Sequence, residues 1–189
     1  MVALCEIIFL LSFFGETIMK VIFLDIDGVL QPGTQHRFDH DMDKLKEDLI
    51  QTNPDYETID KHDIGATYYD WDKTAVSLLT ELCEKTGAQF VISSGWRFFA
   101  SLQELRLLFS IHQIDKYVFD TLGTESTERK RYEEIQDYLE SHNNVTHYVI
   151  IGERYAHNFI EHFPLNIVYT DWVLTEKDCE KAAMILENR

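Results

Sequence analysis

Two aspartates one residue apart, Asp25 and Asp27, close the apolar run "VIFLDID", and Gly28 follows at once. Two other apolar runs end in the same manner: "FVIS" leads into Ser93, Ser94 and Gly95, and "YVII" leads into Gly152 and Glu153. Carboxylates gathered in a low-dielectric cleft must bind a cation or take up protons. Asp25, Asp27 and Glu153 offer only hard oxygen donors, which suits Mg²⁺ better than zinc. One carboxylate can instead attack an electrophile while its neighbour serves as general acid and base. A hydroxyl with adjacent backbone N–H groups, as at Ser93, Ser94 and Gly95, can hold an anion. Gly28 lets the chain turn tightly, so that bulk does not block the approach to the carboxylates.

These groups need a scaffold that brings strand ends together. Residues 20–25, 89–93, 147–151 and 166–170 read as strands, with a weaker candidate at 117–119; each is short, β-branched or aromatic, and bounded by Gly, Asp or Ser. Their continuous apolar character suits parallel strands covered on both faces. Helical spacing lies between them. Val76, Leu79, Leu82 and Cys83 form one stripe over 74–85, with Gly87 as a stop. Phe98, Leu102, Leu105 and Phe109 form a second over 98–109, and Tyr132, Ile135 and Leu139 a third over 128–140. Thr175 and Asp178 mark the start of a last helix, whose stripe is Cys179, Ala182, Ala183 and Leu186. Alternating strands and helices imply right-handed crossovers and a three-layer α/β/α sandwich around a parallel, Rossmann-like sheet. In such sheets function gathers at the carboxyl ends of the strands, where all three polar clusters fall.

Residues 31–72 interrupt the alternation: they are polar and acidic, with Pro32, Gly33, Pro54 and Gly65 as punctuation and no strong periodicity. A segment of that length is too long for a passive loop and reads as a small cap or lid, with a wandering surface insertion as the alternative. Residues 1–18 stand apart as an apolar extension outside a core domain of residues 19–189, interrupted only by Glu6 and Ser12 until its last residues. That run is short for a bilayer span and lacks a basic leader and a small-residue cleavage site. A membrane-associating segment or an added helix are the alternatives.

The chain has 189 residues and a net charge of −16, from 33 acidic and 17 basic side chains. That field repels phosphodiester backbones, so nucleic acid is disfavoured as a partner except as a phosphorylated end or nucleotide. Small phosphorylated substrates remain open. Cys5, Cys83 and Cys179 show no paired spacing, which points to a reducing, cytoplasmic setting without a disulfide framework. His36, His40 and His62 share the insertion with several aspartates but lack ligand spacing, and read as solvated loop residues. Arg97 can contact a substrate phosphate or pair with an acid in the insertion, Trp96 reads mainly as packing, and Asp171 as either a helix entry or a group tuning the site.

With these residues in place, the sequence resembles the haloacid dehalogenase (HAD) superfamily of phosphohydrolases. "DIDGV" is similar to its first motif, "VISSG" to its second, and "YVIIGE" stands where its acidic fourth motif would be. The order "FLDIDGVL", "VISSGWR", R-x-x-E-I and "YVII" most resembles the HAD domain associated with Swiss-Army-knife RNA repair proteins. The resemblance implies that Asp25 is a nucleophile forming an aspartyl-phosphate and that Asp27 is the acid and base. It implies Mg²⁺ held by the Asp25 carboxylate, the Asp27 carbonyl and Glu153. Ser93 would bind the transferring phosphoryl group, and Arg131 or Lys130 would supply the third-motif cation, with Arg131 matching R-x-x-E-I. The fourth motif departs from the pattern: Gly152 and Glu153 stand where one or two aspartates are usual, and Asn158 where a further acid is usual. Two expectations follow, an active enzyme with a modified metal site or a fold that binds a phosphate ligand with weakened catalysis.

Overall fold

The computed structural model describes residues 18–123, 130–154 and 159–187. Five strands run in the order β3-β2-β1-β4-β5: β1 (Met19–Leu24), β2 (Gln89–Ile92), β3 (Val118–Thr121), β4 (Val145–Glu153) and β5 (Ile167–Thr170). Every neighbouring pair is parallel. Leu24 lies opposite Ile92 on one side and Ile151 on the other. Strand order turns at β1: the chain first builds outward through β2 and β3, then returns to lay β4 on β1's other side. That turning point opens a crevice at the carboxyl edge.

Six helices accompany the strands among the described residues: α1 (Met42–Thr52), α2 (Lys61–Gly65), α3 (Lys73–Thr86), α4 (Leu102–Ser110), α5 (Arg131–Ser141) and α6 (Glu176–Leu186). Side chains alternate between the two faces of the sheet. Ile22, Leu24, Phe90, Ile92, Val149 and Ile151 pack one way, against the apolar stripes of α3, α4 and α6. Val21, Phe23, Val91, Ile150 and Ile167 pack the other way, against Ile135 and Tyr138 of α5 and against Phe159 and Phe163. β1 is fully enclosed from Val21 to Leu24, as an apolar run without alternation requires. Cys83 and Cys179 sit in the first of these cores, and burial pushes both thiols above their ordinary range, Cys179 to about 12. No helix among the described residues is long and apolar enough to cross a membrane.

The alternation anticipated from sequence is present, with two departures. The expected helix over 98–109 is split into a 3-10 turn, Gly95–Phe98, and α4. Ser101 breaks it, because its hydroxyl caps the Glu104 N–H while the Glu104 carboxylate takes the Ser101 N–H in return. Phe98 and Phe99 are consequently left exposed rather than on a buried stripe. The segment 31–72 holds more helix than its composition suggested. Met42, Leu45, Leu49 and Ile50 do have helical spacing in α1, but none is fully buried, so the pattern is diluted by charge. Its later part is anchored to the core through Tyr56, whose hydroxyl donates to Leu107 O (2.8 Å), and through buried Ile59, Ile64 and Trp71. Arg37 and the buried Asp70 form an ion pair across the segment. His40 stacks on Tyr69 at 3.9 Å between ring centres. The reading of residues 1–18 as an extension falls outside the described residues, apart from an exposed Ile18.

Candidate active site at the carboxyl edge of the sheet

Asp25 is the first residue past β1, and neighbouring strands hold it from both sides. Its N–H donates to Ile151 O (3.0 Å), while the Ser93 N–H donates to Leu24 O (2.9 Å). Asp25 is 6% exposed, yet both its carboxylate oxygens are satisfied: Oδ1 accepts the Ile26 N–H (2.9 Å) and Oδ2 accepts Arg131 Nη1 (3.1 Å). Such donors offset the cost of burying a carboxylate. Gly152 lies alongside, and a Cβ there would sit 3.7 Å from Asp25 Cβ and 3.9 Å from Oδ2. An aspartate at that position would direct a second charge against the first, which gives a physical reason for glycine.

Asp27 sits in the turn that follows, its rim open to solvent. Oδ2 accepts the indole N–H of Trp96 (3.2 Å) and Oδ1 accepts Gln31 Nε2 (3.2 Å). Partial desolvation raises its pKa above the ordinary value, the negative charge of Asp25 adds to this, and Glu153 adds further. The Trp96 bond and, more weakly, Arg131 oppose the rise. A carboxyl whose pKa is raised, beside one bound by a guanidinium, is an arrangement that can support general acid chemistry next to a nucleophile.

Gly28 takes φ +71°, and its carbonyl accepts the Thr170 hydroxyl (2.6 Å). A Cβ on Gly28 would lie 2.9 Å from Glu153 Cβ and 3.1 Å from Cδ, so the longer glutamate arm is seated across the glycine. The turn therefore requires glycine twice, for its backbone angle and for the room that Glu153 occupies. Glu153 is the last residue of β4, half-buried and near enough to Asp27 to influence it.

Of the two cations that "ERKR" offered, Arg131 is the one on Asp25. Lys130 is exposed at the start of α5, with Nζ 5.7 Å from the Tyr132 ring centre. Burial pulls the Arg131 pKa below its ordinary value, while Asp25 pulls it back up; a guanidinium remains charged through such a shift. Arg97 does not point its donors at the carboxylates. It is 3% exposed, and its guanidinium donates to Ser93 O (2.7 Å), Ser94 O (2.9 Å), Gly123 O (3.0 Å) and Glu134 Oε2 (2.7 Å). The phosphate contact expected of it gives way to a brace that fixes the loop after β2, and its acidic partner lies on α5, not in the insertion. Ser93 and Ser94 are both buried; the Ser94 hydroxyl lies 3.5 Å from the Trp96 N–H that it caps. Gly95 has open space around it.

Three contributors went unforeseen. Trp96, expected to pack, also grips Asp27; Glu134 neutralises Arg97; and Thr170 ties down the turn at Gly28. Glu134 is the acid of R-x-x-E-I, so its signal was present in sequence while its partner was not. Asp171, taken as a helix entry or a tuning group, pairs at the surface with Arg154 (3.1 Å). Asn158 lies outside the described residues.

The donor set fits a hard divalent cation: Asp25, Glu153 and the Asp27 carbonyl are all oxygen donors, and one Arg131 does not offset three carboxylates. Among the described residues no three His, Cys, Asp or Glu side chains converge closely enough to hold a metal unaided. A backbone carbonyl and water would have to complete the coordination, as Mg²⁺ commonly allows. No curated protein matches the chain at a significant level. Residues 21–179 match the family described as the HAD domain in Swiss Army Knife RNA repair proteins, and the chain belongs to that family.

Proposed function

We propose that this protein is a Mg²⁺-dependent phosphomonoester hydrolase working through an aspartyl-phosphate on Asp25. The observation that carries the reading is the pairing of a buried, Arg131-bound Asp25 with Asp27 two residues on, whose pKa is raised by desolvation and by the charge of Asp25. An Asp25 oxygen attacks phosphorus as the bond to the ester oxygen breaks, and Asp27 gives its proton to the departing alkoxide. Asp27, now a carboxylate, takes a proton from water as that water attacks phosphorus. The bond to Asp25 breaks, inorganic phosphate leaves, and both carboxyls return to their starting states. Ser93 and the backbone at Gly95 receive the phosphoryl oxygens in this reading, and Arg131 neutralises charge there. Bound by Asp25, Glu153 and the Asp27 carbonyl, Mg²⁺ would supply further positive charge against the phosphoryl oxygens. The insertion 31–72 acts as a cap-like wall through its first residues, Gln31 to Gln35, which border Asp27.

Small phosphorylated compounds are the substrate class, and the family's description makes a phosphorylated RNA end a second candidate. A panel of phosphomonoesters and 3′- or 5′-phosphorylated oligonucleotides with and without EDTA tests both. Mg²⁺-stimulated phosphate release lost in Asp25→Asn is the expected result; full turnover in that variant would overturn the mechanism. The competing reading is a phosphate-binding protein with weakened catalysis, favoured by the absence of a self-sufficient metal cluster among the described residues. Phosphate-ligand binding without Mg²⁺-stimulated release across that panel would select it.

A further inference from the structure

Trp172 follows β5 and is 73% exposed, although it carries the largest apolar side chain of any residue type. Its backbone is secured on both sides to the turn after Asp27: Thr170 Oγ1 donates to Gly28 O (2.6 Å) and the Leu174 N–H donates to Val29 O (2.9 Å). The indole reaches over Gly33, where a Cβ would lie 3.7 Å from Trp172 Cζ3. Between the indole and Asp27 is a cavity of about 260 Å³, walled also by Gln31, Gln35 and Glu153. Gln31 donates to Asp27 Oδ1, and its own Oε1 is buried without a partner.

A single exposed aromatic is ordinary on a protein surface. This one is clamped against the turn that carries Asp27, the acid of the proposed reaction, and it closes one side of a space adjoining that carboxyl. A group carried by the oxygen that Asp27 protonates would extend toward this cavity. The described lining brings no Lys or Arg that would pair with a second phosphate or carboxylate. A flat apolar face beside two side-chain amides suits an uncharged ring that has its own hydrogen-bonding edge.

We infer that this cavity is the leaving-group subsite and takes an uncharged alcohol bearing a planar heterocycle, the chemistry of a nucleoside, with the ring stacked on Trp172. The inference rests on the hydrolase reading only for the role given to Asp27. On cleavage the phosphorus–oxygen bond breaks and the nucleoside leaves as the alcohol, carrying the Asp27 proton.

Adenosine 5′-monophosphate and ribose 5-phosphate lose the same primary alkoxide, so their kcat/KM ratio isolates the contribution of the ring. The full chain with Mg²⁺ should favour the nucleotide by about tenfold or more, the scale of base stacking on an aromatic side chain. Trp172→Ala should remove most of that preference while leaving ribose 5-phosphate within about twofold, and Trp172→Phe should restore part of it. Equal turnover of the two esters, or an equal loss on both in Trp172→Ala, overturns the subsite and leaves the hydrolase reading standing. If neither ester turns over, tryptophan fluorescence decides. Quenching by the nucleotide, absent with ribose 5-phosphate and lost in Trp172→Ala, upholds the subsite while the hydrolase reading fails. No quenching overturns the subsite as well.

Discussion

Glu134 and Asp27 are carboxylates at one edge of one sheet, held under opposite conditions. Glu134 is buried and matched: Arg97 faces it at 2.7 Å and hands its remaining donors to three backbone carbonyls. Asp27 meets solvent, has only an indole and an amide as partners, and is crowded by the like charges of Asp25 and Glu153. The matched pair makes the edge rigid, while the unmatched cluster stores the repulsion that a cation and a transferring phosphoryl group can relieve. A site can be both well built and electrostatically discontented when the two properties belong to different residues.

If that division is right, damage to the unmatched cluster should remove activity without stability, and damage to the brace should do the reverse. Asp25→Asn should lower phosphomonoester turnover by about 10³-fold or more, as loss of a nucleophile does, while its urea midpoint falls less than that of Glu134→Ala, because the amide oxygen can still accept from Arg131. Glu134→Ala leaves a buried guanidinium unpaired and should cost about 3–5 kcal/mol in urea unfolding. Its kcat should fall less than that of Asp25→Asn at a temperature where it remains folded. Equal stability of Glu134→Ala and the native protein would break the comparison.

Trp96→Phe sharpens it further, because that indole touches both regions. An aromatic ring is kept but the N–H to Asp27 is lost, and kcat/KM should drop by about tenfold, the scale of a bond to a charged acceptor. Since that bond lowers the Asp27 pKa, its loss should move the alkaline limb of the pH–rate profile to higher pH. An unmoved limb would mean that Trp96 only packs. The smallest effect concerns stability against pH. Folding raises the Asp27 pKa above its ordinary value of 3.8, so the folded protein holds that proton more tightly than the unfolded chain. The associated stability is full below the ordinary value and is lost as pH rises through the folded one. Asp27→Asn should therefore melt slightly above the native protein at neutral pH, and the gap should close on acidification toward 3.8. A gap that widens on acidification would contradict the raised pKa.

Much of this edge was legible before any coordinates. Strand runs ending in Asp25, Ser93 and Gly152-Glu153 announced both the parallel sheet and its polar carboxyl edge, because a buried strand must be apolar along its length and can turn polar only at its end. Thr175 and Asp178 marked the start of α6 through a capping pattern that is local by nature. The helix over 98–109 was misread because the same local logic, the Ser101–Glu104 capping box, was outweighed by an apolar spacing that reached back to Phe98. In α1 the spacing existed but no residue is fully buried, so hydrophobicity gave little contrast. Arg97 could not be assigned from its neighbours, since an arginine after a phosphate-loop motif looks the same whether it faces a ligand or a carbonyl.

The sequence by itself determined which chemical groups stand at the strand ends, and that glycines follow or adjoin them, because strand burial and turn geometry depend on residues near in the chain. Only the tertiary structure decided who meets whom. Trp96 reaches Asp27 across 69 positions, Arg131 reaches Asp25 across 106, and Glu134 reaches Arg97 across 37. Those separations close only when β1, β2 and α5 pack together. A carboxylate's charge state and orientation depend on which donor stands within about 3 Å of it, a distance that no spacing along the chain prescribes.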